Sequence, residues 1–305
     1  MTEHSGSSTK IEADIAVILV GLNACEYIAQ CLHSQAEAEW HDYTHVTVYV
    51  DNGSTDGSVD MVRKDFPDVI VQVNKQNIGY CPAANQGARL VQCRYLMFIN
   101  DDTIVLDDAI AVLAEVLDEK QGLACVGARL LYPDMTDQWS GRSFPSAMNA
   151  IFGRRSILHR ILPRAGPLVR YLRKSELEVG KPFRVDWVSA AGVMFRHEDF
   201  FAVNGFAEDY YYWHEAVIAK RLLEQGRLTY LHPGARIIHF EGKGSGVRPY
   251  EVRKFHIINF HQGAFRFYCE HHRLGPLNPL CWLAAIGLTC RALTLLALNR
   301  ISLQT

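Results

Sequence analysis

The sequence predicts an α/β fold: a mostly parallel sheet with flanking helices, followed by a C-terminal helical tail. Three observations predict it. Short apolar runs recur and end in polar, turn-forming loops, as in Val17-Ile18-Leu19-Val20 and Tyr95-Leu96-Met97-Phe98-Ile99. Between them, apolar residues repeat at helical spacing, so strand, loop and helix alternate as in a sheet covered on both faces. Beyond residue 245 the strand signals stop and helical patterns take over.

Taken in order, residues 1–10 are polar, lack the apolar core of a signal peptide and are expected to be disordered. Residues 13–20 form a first buried strand, and Tyr27, Ile28, Cys31 and Leu32 mark one helix face after it. A β-branched strand, His45-Val46-Thr47-Val48-Tyr49-Val50, runs into Asp51-Asn52-Gly53-Ser54-Thr55-Asp56-Gly57-Ser58, a loop of turn formers. A third strand spans residues 69–73. Asn77-Ile78-Gly79-Tyr80 then opens a helix carrying Ala83, Ala84, Asn85 and Ala88.

The next strand runs from Tyr95 straight into Asn100, Asp101 and Asp102. Parallel sheets place chemistry just beyond the carboxyl ends of their strands. Hard oxygen ligands there suit Mg²⁺ or Mn²⁺, which hold substrate phosphates. The competing reading is that Asp-Asp-Thr caps the helix that follows.

Composition narrows the field. With 305 residues, 49% hydrophobic and 21% charged, the chain can bury one large domain with an appendage. A net charge of −2 gives no global electrostatic case for nucleic acid. Eight cysteines without a Cys-x-x-Cys pair read as reduced core residues of a cytosolic protein. The Gly-x-Gly-x-x-Gly fingerprint of dinucleotide binding is absent after the first strand, and no Gly-x-x-x-x-Gly-Lys-Ser loop occurs.

The motifs together resemble the family 2 glycosyltransferases of GT-A fold, most closely their rhamnosyltransferase-like branch. They are Val17 to Asn23, Val50 to Ser58, Asn77-Ile78-Gly79-Tyr80, Ile99-Asn100-Asp101-Asp102-Thr103, Val185-Asp186-Trp187-Val188-Ser189-Ala190-Ala191, Asn204 to Asp209 and Ala235 to His239. They occur in the expected order over roughly residues 13–245. The resemblance implies a GT-A-type domain over 11–245 and a tail over 246–305.

It also implies an inverting transfer of a sugar, rhamnose being one candidate, from a dTDP- or UDP-sugar to a glycan or lipid-linked acceptor. On the donor side it places Asn23, Asp51, Asn77, Gly79, Asn85, Asn100, Asp101 and Lys243, with Asp51 on the pyrimidine ring. Asp102 and His239 fall where the family binds Mg²⁺ or Mn²⁺, and His232 is a weaker candidate. Trp187, Ser189 and His214 fall on the acceptor side. Gly242 to Gly246 reads as a loop that folds over the diphosphate.

Two departures stand out. Leu22 replaces an aromatic residue that can lie against the base. His214-Glu215 replaces the family's Glu-Asp pair, whose second acid is the general base, so that role falls to Glu215.

Residues 154–184 interleave basic and apolar residues, which reads either as a solvated excursion or as a basic amphipathic arm facing anionic lipid or a lipid diphosphate. Residues 277–298 are long and apolar enough for a membrane span but carry Arg291, which favours a helix lying in the membrane interface or packed on the domain. The expected location is cytoplasmic, peripheral on the inner face of the cell membrane. Two other readings stay open. One is a nucleotide-sugar-binding protein without turnover, since the base motif reads His-Glu-Ala. The other is a sugar-phosphate nucleotidyltransferase, against which stands the missing glycine-rich, lysine-bearing loop.

Overall fold

A computed structural model describes residues 11–144, 174–240 and 249–301. The expected disorder of residues 1–10, most of the basic arm at 154–173, and the Gly242 to Gly246 loop with Lys243 lie outside the described residues.

Strands β1 (Ile11–Gly21), β2 (His45–Asp51), β3 (Ile70–Val73) and β4 (Val91–Asn100) run parallel in the order β3-β2-β1-β4. Their crossovers carry α1 (Cys25–Glu37), α2 (Ser58–Asp65) and α3 (Tyr80–Arg89). Register aligns Gly21 with Asp51, and Val20 with Asn100. Three expected site loops therefore leave the sheet at one level on one edge.

The sequence predicts a mostly parallel sheet, and the second half supplies its antiparallel pairings. After β5 (Thr103–Val105), α4 (Ala109–Glu119) and β6 (Leu123–Leu131) come the short β7 (Gly141–Arg142), α5 (Lys174–Val179), β8 (Phe183–Val185) and β9 (Trp187–Val188). Then follow β10 (Gly192–Arg196), α6 (His197–Ala202), α7 (His214–Glu224) and β11 (Leu228–His239). Among the described residues the sheet has nine strands, extended beyond β4 as β10-β6-β11-β5, with β8 also on β11. β10 is antiparallel to β4 and β6, so the sheet is mixed although mostly parallel.

Alternation along the central strands builds two cores. Ile15, Val17, Leu19, Tyr95, Met97 and Ile99 face the layer of α1 and α4, while Ala16, Ile18, Leu96 and Phe98 face that of α3 and α6. Helix α3 sits close on the sheet because its inward residues are small. A Cβ on Gly87 would come within 2.9 Å of Ile18 and Val50. Overpacking of that kind costs ~1–3 kcal/mol.

The tail forms α8 (Tyr250–His271) and α9 (Pro279–Ile301). Helix α8 is part of the wall rather than a loose appendage. Phe267 is buried against Trp213, the Trp213 indole N–H donates to the Phe260 carbonyl at 3.0 Å, and Arg266 pairs with Asp209 at 2.6 Å. Helix α9 packs on α8 and exposes Leu280, Trp282, Leu283, Ile286, Leu293 and Leu298. It is the one helix among the described residues long and apolar enough to cross a membrane, with mean hydropathy 1.8 over Pro279–Arg300. All eight cysteines are free; Cys31, Cys81, Cys125 and Cys281 are buried as expected, whereas Cys290 is exposed.

Candidate active site

The turn after β4 is set by its neighbours. Thr103 Oγ1 donates to the Asn100 carbonyl at 2.7 Å, and the Phe240 N–H donates to the Asp102 carbonyl at 3.0 Å. Asp101 and Asp102 thus link two strands. They do not cap a helix, because α4 begins only at Ala109. Burial, with the Asp102 charge beside it, pushes the Asp101 carboxyl up to about 7.

β11 pairs antiparallel with β5 so that His239 lies opposite Thr103. That register brings His239 Nε2 to 3.2 Å from Asp102 Oδ1 and 3.1 Å from Asn100 Nδ2. On the other side of the ring, His239 Nδ1 meets Gln138 Oε1 at 2.8 Å. The Gln138 amide nitrogen donates to the carbonyls of His239 and, at 3.2 Å, Leu131. Its oxygen is therefore the acceptor, and Nδ1 carries the proton. In the neutral ring Nε2 is then the acceptor, taking the Asn100 Nδ2–H at 3.1 Å with the Asp102 carboxylate 3.2 Å away, and a cation would be held by the Nε2 lone pair and that carboxylate together.

Among the described residues no three His, Cys, Asp or Glu side chains converge on an ion site. Two protein donors nevertheless fit Mg²⁺ or Mn²⁺, which retain several waters and bind substrate phosphates. His232 is no third ligand, since its Nδ1 accepts from the Gly234 and Ala235 amides at 2.9 and 3.2 Å.

The two preceding loops are tied together. Asn23, at φ 53°, accepts from the Thr55 amide at 2.8 Å and donates its own N–H to Ser54 Oγ at 2.8 Å. Leu22 stands 42% exposed beside it. Asp51 is fully buried. Its carboxylate accepts the Gly53 and Ser54 amides at 2.9 Å and the Tyr49 hydroxyl at 3.2 Å, so in this conformation it shapes the turn. Asn77 accepts from the Gly79 amide at 2.8 Å. Gly79 has φ 90° and ψ 163°, a region that essentially only glycine occupies.

Two expected site residues are corrected. Asn85 does not face a donor. It is 2% exposed and clamps the backbone of Phe206, accepting its N–H at 3.0 Å and donating to its carbonyl at 2.9 Å, with Glu208 at 3.0 Å. Trp187 does not present its ring to an acceptor. It is 4% exposed, its indole N–H donates to the Ser143 carbonyl at 3.1 Å, and Arg142 lies over its ring. Both sit beside surface loops in sequence, but tertiary packing closes over them.

The residues expected on the acceptor side cluster at the first turn of α7 and the loop before β10. Trp213 enters it at φ 73°, unusual for a bulky side chain, and is held by α8. Glu215 is partly exposed, and the Ala190 N–H lies 3.5 Å from its Oε1. Ser189 is also partly exposed, in the same loop. Asp209 is engaged by Arg266, which holds its carboxyl below the usual range. His214 is buried, its ring between Tyr80 and Phe206, each 5.4 Å away. Sequence reasoning missed Gln138 and Tyr80; only Tyr80 lay in a recognised motif.

Comparison with known proteins agrees with this architecture. The N-acetylglucosaminyl-diphospho-decaprenol L-rhamnosyltransferase of Mycobacterium tuberculosis (strain CDC 1551 / Oshkosh) is 26% identical over 79% of this chain and 80% of its own length. The mannosyltransferase PcManGT from Pyrobaculum calidifontis, solved with GDP-Man and Mn²⁺, superposes with a TM-score of 0.58 at 18% identity, over 96% of this chain and 81% of its own. GalNAc-T7, solved with UDP, GalNAc and Mn²⁺, gives 0.59 at 14% identity over 76% of this chain, which spans only 44% of the GalNAc-T7 chain. These likenesses establish a GT-A-type fold. The family model for Glycosyl transferase family 2 matches residues 16–179, more than half of the sequence, and the protein belongs to that family.

Proposed function

We propose that the protein is an inverting glycosyltransferase moving one sugar from a nucleoside diphosphate donor to a hydroxyl of a glycan or lipid-linked acceptor. The observation that carries this reading is the Asn100-Asp101-Asp102 turn, with His239 oriented toward it by Gln138. The nucleotide would lie across the loops held by Asn23, Asp51 and Gly79, with the exposed Leu22 against the base. Asp51 would meet the pyrimidine by sharing an oxygen now given to the turn.

Asp102 and His239 would hold Mg²⁺ or Mn²⁺, which supplies positive charge to the leaving diphosphate. Glu215 takes the proton of the acceptor hydroxyl as that oxygen attacks the anomeric carbon opposite the departing diphosphate, which inverts the configuration. Ser189, next to Ala190 whose N–H lies against Glu215, would bind the acceptor. Trp213, which precedes α7 and is held by α8, would steady the turn that carries Glu215, and ~1 Å of misplacement can cost ~10²-fold in rate.

The M. tuberculosis relative favours dTDP-rhamnose as donor and a lipid diphosphate as acceptor. The exposed apolar surface of α9 supports an enzyme docked on the inner face of the cell membrane, with 246–305 as its membrane-facing tail. A thermal-shift panel of dTDP-, UDP- and GDP-sugars with and without Mn²⁺ tests the reading. A bound donor at 100 times its Kd stabilises by ~2.7 kcal/mol, a shift of several degrees. Absence of any Mn²⁺-dependent shift across the panel counts against it.

A further inference from the structure

Tyr80 and His214 lie side by side, their ring centroids 5.4 Å apart, and the backbone presents them in the same way. Each is the first residue of a helix, and each directly follows a residue at positive φ: Gly79 at 90° and Trp213 at 73°. At Trp213 such backbone costs ~1–3 kcal/mol, whereas glycine adopts it freely at position 79, and strained backbone clusters where function needs a side chain held in place.

Both side chains carry polar atoms with nothing to bond. The Tyr80 hydroxyl and both ring nitrogens of His214 are buried and have no hydrogen-bond partner among the described residues. His214 is 8% exposed, with its ring fixed against Tyr80 and Phe206. The Glu215 carboxylate is 3.6 Å from His214 Nε2, too far for a hydrogen bond. Buried polar groups in native proteins are almost always satisfied, so three orphan atoms in one wall call for a ligand.

The chemistry of the wall says which kind. A neutral imidazole offers one donor and one acceptor, and a phenol offers both, as hydroxyl groups require. An anion is disfavoured, because Asp101 and Glu215 lie near enough for their charges to act on the Tyr80 hydroxyl. Position says which sugar. Under the proposed function the diphosphate sits at the strand-end acids and the base is Glu215, so the group in transit lies between them. Tyr80, whose hydroxyl feels the charges of both Asp101 and Glu215, would line that interval.

Building on that function, we infer that Tyr80 and His214 bind hydroxyls of the sugar being transferred and set donor-sugar specificity. His214 is thereby reassigned from the acceptor side to the donor sugar. The sequence pattern agrees, since His214 is where this chain departs from the family's acidic residue.

The test separates the sugar from the nucleotide. Calorimetric affinities are measured for dTDP and dTDP-rhamnose, and in parallel for UDP and UDP-glucose, with Mn²⁺ present. The variants are Tyr80→Phe, His214→Phe and His214→Gln. Tyr80→Phe removes the orphan hydroxyl while keeping the ring and should melt at or above the wild-type temperature, whereas His214→Phe removes both orphan nitrogens but adds ring volume, so thermal unfolding checks its fold beside that of His214→Gln. Nucleoside diphosphate affinity should be unchanged in all three, whereas nucleotide-sugar affinity should fall ~3–10-fold per lost hydrogen bond in the Phe variants. His214→Gln should recover part of it. Equal losses for diphosphate and nucleotide sugar, or full retention of both, overturn the inference. So does a change confined to acceptor KM, which would return the pair to the acceptor. A wild type that binds neither nucleotide with Mn²⁺ overturns the proposed function itself, a result distinct from the others.

Discussion

Gln138→Leu is the sharpest probe of how the strand-end site is held. Gln138 is buried and serves three neighbours at once: the His239 Nδ1–H and the carbonyls of His239 and Leu131. Leucine fills the space but leaves all three without that partner. Each buried group left unpaired costs ~1–3 kcal/mol. Partial rescue by other contacts brings the expected total to about 2–4 kcal/mol, or several degrees in Tm. Freed of its anchor, the His239 ring can rotate and place its proton on Nε2, facing Asp102. Loss of an outer-shell partner of this type lowers metal affinity ~10–100-fold.

Gln138→Glu separates the two effects. It still accepts from Nδ1 but sets a carboxylate against two carbonyls, so stability should fall while Mn²⁺ affinity falls less than in the leucine variant. Mn²⁺ titration followed by electron paramagnetic resonance, with UDP or dTDP present, reads the affinity, and thermal unfolding reads the stability. A folded Gln138→Leu protein with wild-type Mn²⁺ affinity would refute the argument that Gln138 prepares His239 as a ligand.

Three other outcomes follow from the same geometry. Asp102→Ala should abolish Mn²⁺-dependent donor binding in the same titration, and unaltered binding would leave the acid a turn residue only. Gly79→Ala forces a Cβ into a glycine-only region and should lower Tm by the equivalent of ~1–3 kcal/mol. Loss of donor affinity should accompany it, because Tyr80 is displaced. Truncation after residue 274 removes α9, whose one side chain classed as buried is Cys281, so the remainder should stay folded while sedimentation with anionic vesicles falls. Undiminished sedimentation would move the membrane contact elsewhere.

Much of the first half was legible because its signals are local. The apolar runs ending at Gly21, Asp51 and Asn100 are strands with the expected polarity, and register alone brings their loops together. β10 and β11 were harder. That the short run Gly192–Arg196 lies antiparallel between β4 and β6 is decided by tertiary pairing, which leaves no local signature. Gln138 was illegible for a similar reason: it is an ordinary loop glutamine whose partner is 101 residues away. Asn85 and Trp187 misled because polarity and aromaticity in a motif do not reveal burial. The alternative of a helix cap at Asp101 and Asp102 was settled only by β5, whose three residues are too short to read from sequence.

The most direct test of the account is Glu215→Gln, assayed for both donor affinity and transfer. The change preserves shape and removes the proton acceptor. General-base catalysis contributes ~10²–10⁴-fold, so transfer should fall by about that factor while the affinity for the nucleotide sugar stays within error of wild type. A Glu215→Gln enzyme that transfers sugar at the wild-type rate would contradict the assignment.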